Sequence, residues 1–154
     1  MKKTLLLFCL IVSTVYSFSQ TSYDLTYDEE NNTTINAGLL MGGGGIVGVD
    51  IEHKVNRIIG FQAGLGLSSF GAGMTFHFRN TINSSFASIQ YWRQGLGSNY
   101  FGSYLGPMFV FRAKKYFQAG IGLGYIVDKG SILDTKYRDQ NIMAVYNIGV
   151  YFPL

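Results

Sequence analysis

The chain has one cysteine, two prolines and few charged residues among its 154 positions. Charged residues make up 14% of the sequence, against about 25% in a typical soluble domain, so the surface is short of ions. The single cysteine, Cys9, excludes a disulfide within the chain. Beyond residue 20 no apolar run approaches the roughly 20 residues that a membrane-spanning helix needs, which excludes a helical membrane protein.

Glycine and aromatic residues are abundant instead, with 20 Gly, 12 Phe and 11 Tyr. Each glycine inside a helix costs roughly 0.5–1 kcal/mol relative to alanine, so this composition argues against a helical protein. Aromatic side chains favour strands, and glycines favour tight turns. The length suits one domain.

Residues 1–19 have the organisation of a secretory signal peptide. Two lysines precede the apolar run TLLLFCLIV, and Ser17-Phe18-Ser19 provides a small-x-small cleavage site. Cleavage would remove Cys9 and leave 10 basic residues against 9 acidic ones, a net charge of +1. The mature chain then has no basic stripe, and we expect no nucleic-acid partner. Residues 20–33 (QTSYDLTYDEENNT) are polar and acidic, and are predicted to form a flexible lead-in.

From residue 34 the chain alternates apolar and small or polar residues in segments of about ten. Two of these segments nearly repeat each other, as FQAGLGL at 61–67 and FQAGIGL at 117–123. Strict alternation is the period of a β-strand, because successive side chains point to opposite faces. Eight such segments are predicted: 34–42, 45–54, 58–68, 71–79, 84–93, 102–112, 116–127 and 141–152.

The chemistry of the two faces predicts which one is buried. One face is large, apolar and aromatic, whereas the other is mainly Gly, Ser, Thr and Gln, without the Lys and Glu of a wetted sheet. Eight large apolar faces would overfill the narrow interior of an eight-stranded barrel. With the apolar face turned outward to lipid, the small residues fit inside. The pattern is typical of a transmembrane β-barrel, in which every backbone polar group is paired.

The chain resembles the small eight-stranded outer-membrane β-barrel domain family (OmpA/OmpX-like) of Gram-negative bacteria over residues 34–154. The resemblance depends on the signal peptide, the eight segments and the final VYNIGVYFPL, although Leu154 stands where the family usually has Phe and Pro153 interrupts the end. It implies an outer-membrane location, lipid contact, and recognition of the last strand by the barrel-assembly machinery. It also implies short periplasmic turns at Val55–Arg57, Asn80–Asn83 and Ala113–Lys115, and outer loops at Gly42–Gly45, Ser69–Phe70, Gln94–Phe101 and Asp128–Gln140.

Ten polar residues are predicted to line the interior: Asp50, Glu52, Lys54, Gln62, His77, Arg79, Gln90, Arg112, Gln118 and Asn147. Charges enclosed by a narrow barrel must pair, because an isolated buried ion is very costly. We interpret this polar cluster as a structural network of salt bridges and hydrogen bonds. The alternative is a gate or a narrow ion path.

Catalysis and metal binding have little support in the sequence. The two histidines, His53 and His77, lie on separate strands, and His77 has no serine at a neighbouring position on the same face. His53 is predicted to point outward near the periplasmic interface. No cysteine or carboxylate has metal-ligand spacing, so we expect no enzyme activity, no cofactor and no metal.

Glycine and proline mark further local expectations. Gly42–Gly45 (GGGG) lacks the Gly-Lys-Ser/Thr of a phosphate-binding loop and is predicted to form a tight hairpin. Gly106-Pro107 lies inside the sixth segment, where a proline removes a ladder hydrogen bond, so we expect a bulge there. The bulky residues predicted to point inward are Phe86, Trp92, Tyr104 and Tyr151.

The sequence therefore predicts a non-catalytic outer-membrane β-barrel with a structural or surface-interaction role. An extracellular partner, if there is one, would bind loops 94–101 and 128–140. Two alternatives stay open: a narrow pore for small solutes, and a soluble exported barrel that binds a lipophilic ligand as lipocalins do.

Overall fold

The computed structural model describes residues 31–95, 101–113, 116–131 and 140–154. They form eight β-strands, which confirms the all-β prediction, and each boundary lies within three residues of the predicted one. The predicted signal peptide and most of the lead-in lie outside the described residues. The strands are β1 (Thr33–Leu39), β2 (Val47–Lys54), β3 (Ile59–Gly66), β4 (Ser69–His77), β5 (Phe86–Gln94), β6 (Gly102–Arg112), β7 (Phe117–Lys129) and β8 (Ile142–Pro153).

The eight strands close into an antiparallel barrel. Each strand pairs with the next, and β1 pairs with β8 from Thr34↔Pro153 to Leu39↔Ile148. Closure leaves no strand edge unpaired, which removes the usual route to edge-to-edge aggregation. The described part of the chain contains no helix long and apolar enough to cross a membrane.

The barrel wall has its apolar side chains outside and its polar side chains inside. In β2 exposed and buried positions alternate without interruption, with Val47, Val49 and Ile51 outside and Asp50 and Glu52 inside. Among the described residues 31 large apolar side chains are exposed and only nine are buried, whereas 16 polar or charged residues are buried. The sequence pattern therefore corresponds to a barrel whose faces are inverted relative to a soluble one.

A small apolar core nevertheless fills the interior on the β5–β7 side. The four bulky residues predicted to point inward are all buried. The core cluster consists of Phe86, Trp92, Tyr104, Met108, Val110 and Ile126, with Met143 and Val145 against it.

We call the end of the barrel at the β1–β2 connection the loop end, and the end at the β2–β3 connection the turn end. At the loop end the prediction of a tight GGGG hairpin is wrong, because residues 40–46 form a seven-residue connection that folds into the barrel mouth. Gly42 and Gly43 are buried there at φ +64° and +83°, which favours glycine. A Cβ on Gly43 would overlap the backbone of Phe70.

At the turn end the β4–β5 connection, residues 78–85, also folds inward. Ile82 is only 2% exposed, and its carbonyl oxygen accepts a hydrogen bond from Arg112 Nη1 at 2.6 Å. Described connections thus close the barrel at both ends.

Two other local predictions are wrong. Ser69–Phe70 is not a loop, because these residues begin β4 and the connection is Leu67–Ser68, with Ser68 at φ 60°. Gly106–Pro107 carries no bulge, since the register from β6 to β7 is the same on both sides of it and shifts instead between Ser103 and Tyr104.

The other predicted connections agree with the strand bounds where the structure describes them. The β2–β3 connection covers residues 55–58, and Asn80–Asn83 lies within the β4–β5 connection. Residues 114–115 of the third turn, 96–100 of one outer loop and 132–139 of the other lie outside the described residues.

Candidate functional site

Glu52 lies at the centre of the largest polar cluster in the interior. Its side chain is fully buried. Oε1 lies 2.8 Å from His77 Nε2, and Oε2 lies 2.6 Å from Arg112 Nη2. These contacts join β2, β4 and β6 across the barrel, and the side chains of both partners are fully buried as well. A buried carboxylate is tolerated when it is paired and hydrogen-bonded in this way.

The Arg112 guanidinium is the most connected group of this cluster. Nε donates to Gln118 Oε1 at 3.0 Å, and Nη2 donates to Asn36 Oδ1 at 3.1 Å in addition to Glu52. Its Cζ atom lies 4.8 Å from the centroid of the Phe86 ring and 4.7 Å from the centroid of the Tyr151 ring. An arginine held by several acceptors and two aromatic faces is fixed in one orientation, so it ties the strands together.

Ser84 extends the cluster in a direction that strand alternation could not predict. It lies in the β4–β5 connection, and its Oγ is 3.0 Å from His77 Nδ1. With His77 Nε2 at 2.8 Å from Glu52, the order serine–histidine–carboxylate is that of a hydrolase triad.

The surroundings of these three residues favour a structural network. Ser84 Oγ donates to the carbonyl oxygen of Arg79 at 3.3 Å, so its proton already has an acceptor. The Glu52 carboxylate is shared with Arg112, and Ile82 covers this end of the barrel. A nucleophile needs a position about 3 Å away where a reacting carbonyl can lie, and here the neighbouring positions are taken by protein groups.

A second polar group lies nearer the middle of the barrel. Gln90 Nε2 donates to Gln62 Oε1 at 3.1 Å and to Ser88 Oγ at 3.0 Å. Asp50 Oδ1 accepts from the backbone N–H of Gly42 at 3.1 Å. This last bond joins the inward-folded loop to the wall, so the acid at position 50 positions the loop.

The structure places nine of the ten predicted residues inside the barrel, but not in one group. Glu52, His77, Arg112 and Gln118 form one network, and Gln62 and Gln90 another. Asn147 Nδ2 lies 3.6 Å from Met108 Sδ. Lys54 is buried at the end of β2 and forms no ion pair with a described carboxylate.

Arg79 is the exception, and its predicted place inside the barrel is wrong. The strand β4 ends at His77, so alternation stops before position 79, and the Arg79 side chain is exposed at the turn end. Phe78, which lies between these two residues, begins the connection that folds into the barrel.

Sequence reasoning also missed three members of the Glu52–Arg112 network. Thr34 and Asn36 are fully buried and contact Arg112 Nη2. Both lie on either side of the exposed Ile35 in β1. The period-two pattern could therefore have predicted that they point inward. Ser84 lies in a connection, where no period applies, and nothing in the sequence marked it.

The interior has little room for a ligand. A cavity of about 10 Å³ lies between the inward loop and the middle polar group, which is space for about one water molecule. Among the described residues there is no group of three or more His, Cys, Asp or Glu that could hold a metal ion. Asp50, Gln62, Gln90 and Asn147 supply the polar part of the cavity lining.

Comparison with known proteins gives no match to a family model, a curated protein or a solved structure.

Proposed function

We propose that this protein is a non-catalytic outer-membrane β-barrel of the OmpA/OmpX-like type, with a structural or surface-interaction role. The observation that carries the proposal is the outer wall, where 23 of the 31 exposed large apolar side chains lie on strands around a polar interior. Soluble monomers rarely expose contiguous apolar patches of more than a few hundred Å². Hydrocarbon is the solvent in which such a wall is stable.

Aromatic residues near the strand ends support the same proposal. At the turn end the ring centroids of Tyr116 and Phe152 lie 5.6 Å apart, and those of Phe78 and Phe109 lie 5.9 Å apart. Toward the loop end Phe70 and Tyr91 lie 6.5 Å apart. Two aromatic belts separated by an apolar band are typical of membrane barrels.

The packed interior favours a structural role over the two alternatives. A pore needs a continuous water path, but Met41 is buried in one mouth and Ile82 in the other. A lipocalin-like protein needs space for a lipophilic ligand, and the cavity between the inward loop and the middle polar group holds about 10 Å³. We therefore assign the buried charges to the stability of the barrel.

The proposal extends to the partners of the protein. Lipids of the outer membrane would surround the wall, and the barrel-assembly machinery would bind the last strand, in which Tyr146, Ile148, Val150 and Phe152 are exposed at alternate positions. Any extracellular partner would bind through residues 94–101 and 128–140. Residues 1–19 would direct export.

Cell fractionation tests this function. We expect the exported protein in the outer-membrane fraction, resistant to an alkaline wash, with a gel mobility that changes when the sample is boiled. Recovery in the soluble periplasmic fraction without that change would contradict the proposal.

A further inference from the structure

A hollow on the outer wall distinguishes the β2–β4 side of the barrel. Ala63 of β3 and Ala72 of β4 are paired across the strands, and both point outward. Larger side chains surround these two small ones and leave a groove of about 520 Å³. The outward residues that line it are Ile51, His53, Phe61, Ala63, Ala72 and Met74.

The groove has one polar end, which lies toward the turn end. His53 pairs with Phe61, one outward position nearer the turn end than the pair of Ile51 and Ala63. The exposed His53 ring is held by a hydrogen bond of 2.9 Å between Nδ1 and Thr33 Oγ1. No other described residue bonds this ring, so Nε2 can donate to a group that lies in the groove.

The connections beside this polar end are basic. Arg57 lies in the hairpin between β2 and β3, and Arg79 is the second residue after the end of β4. Both are exposed, and they are the only charged side chains among the described residues of the connections at the turn end. The turn ends of the three strands that form the groove, with their connections, therefore carry two exposed arginines and one exposed histidine.

We propose that this groove binds one anionic phospholipid, with an acyl chain along Ala63 and Ala72 and the phosphate at His53, Arg57 and Arg79. The inference rests on the proposed membrane location. Arginine matches phosphate geometry with paired, charge-assisted hydrogen bonds.

The headgroup contacts determine the selectivity of the site. Bilayer tails are as apolar as the barrel wall, so burial of the acyl chain gives no hydrophobic gain over bulk lipid. The alanine hollow contributes close packing along the chain. The basic groups distinguish an anionic headgroup from a zwitterionic one, and the loss of one charge-assisted hydrogen bond corresponds to about a tenfold loss of affinity.

Native mass spectrometry of the mature protein tests the site. The protein would be released from nanodiscs of equal parts phosphatidylglycerol and phosphatidylcholine. We expect one phosphatidylglycerol retained per barrel. Arg57→Gln/Arg79→Gln should lower retention about tenfold or more, and Ala63→Phe/Ala72→Phe, which fills the hollow, should abolish it. Ala119→Phe adds a ring to the outer face of β7, away from the groove, and should retain the lipid as the wild type does.

The outcomes separate this inference from the proposed function. A barrel that enters the nanodisc but retains the two lipids equally, or retains phosphatidylglycerol when the hollow is filled, overturns the lipid site alone. A wild-type dimer that Ala63→Phe/Ala72→Phe dissociates would show that a second copy occupies the groove, and also overturns it. A protein that does not enter the nanodisc contradicts both proposals.

Discussion

Arg112 Nη2 and Glu52 Oε2 lie 2.6 Å apart inside the barrel, with both side chains fully buried and the two residues 60 positions apart in the chain. This ion pair joins β2 to β6 across the interior. Its Coulomb attraction is offset by the cost of removing two charges from water. Its main effect is therefore to penalise any arrangement of strands that separates the two residues.

Removing one charge of this pair should lower the free energy of unfolding more than removing both charges. Arg112→Met leaves the Glu52 carboxylate without its arginine and should lower the free energy of unfolding by about 3–5 kcal/mol. Glu52→Gln/Arg112→Met removes both charges and should cost clearly less than Arg112→Met alone. Urea titration of the barrel in lipid vesicles measures the difference. A double variant that loses as much stability as Arg112→Met, or more, would contradict the pairing of the two side chains.

Because the glycine loop folds inward, the stability of the barrel should depend strongly on the size of the side chains in this loop. Gly43→Ala places a Cβ against the Phe70 backbone and a non-glycine residue at φ +83°, which should destabilise the barrel by about 1–3 kcal/mol. Gly124→Ala is the milder comparison, because its Cβ would make a tight contact of 3.1 Å with Tyr104 Cβ but would not overlap backbone, and its φ lies outside the left-handed region. Equal losses for the two variants would contradict the packing described for the loop.

The free-energy cost of an arginine on the outer wall should depend on its depth in the bilayer. Ile121, 66% exposed in the middle of β7, would face the bilayer centre, where arginine costs about 2–4 kcal/mol. Val127 lies nearer the loop end of the same strand, where arginine costs about 0–1 kcal/mol. Unfolding of Ile121→Arg and Val127→Arg in vesicles gives the comparison. In a soluble barrel both exposed sites would tolerate arginine within about 0.5 kcal/mol.

The contacts of Ser84 predict that it does not react as a nucleophile. A fluorophosphonate probe, which labels activated serines, should leave the folded wild-type barrel as unlabelled as the Ser84→Ala variant. Labelling of the wild type that is lost in both Ser84→Ala and His77→Gln would assign an acyl-transfer site to the turn end. Intact-protein mass spectrometry detects the adduct directly.

The strands could be predicted from the sequence because their side chains alternate with a period of two. That period identifies a strand and assigns its faces without any knowledge of the partner strand, so Glu52 and Arg112 could be placed inside from the residues alone. It could not predict that these two residues meet, because the distance between them depends on how the strands are staggered around the barrel.

The connections could not be predicted in the same way. Four glycines at 42–45 indicate freedom to bend, but not that the loop bends inward until Gly42 bonds Asp50. The sequence NTINSS at 80–85 carries no periodic signal, and a single buried isoleucine determines where it packs. This is why Arg79 was placed wrongly and Ser84 was missed.

The proposed contact between lipid and the apolar outer wall can be tested by measuring the solvent that surrounds a spin label at position 121. The only cysteine is Cys9, in the segment predicted to be removed, so Ile121→Cys would carry the only thiol of the mature chain and accept a single spin label. In vesicles we expect frequent collisions of the label with oxygen, which concentrates in hydrocarbon, and few with a water-soluble nickel complex. Frequent collisions with the nickel complex would place the wall in water and contradict its proposed contact with lipid.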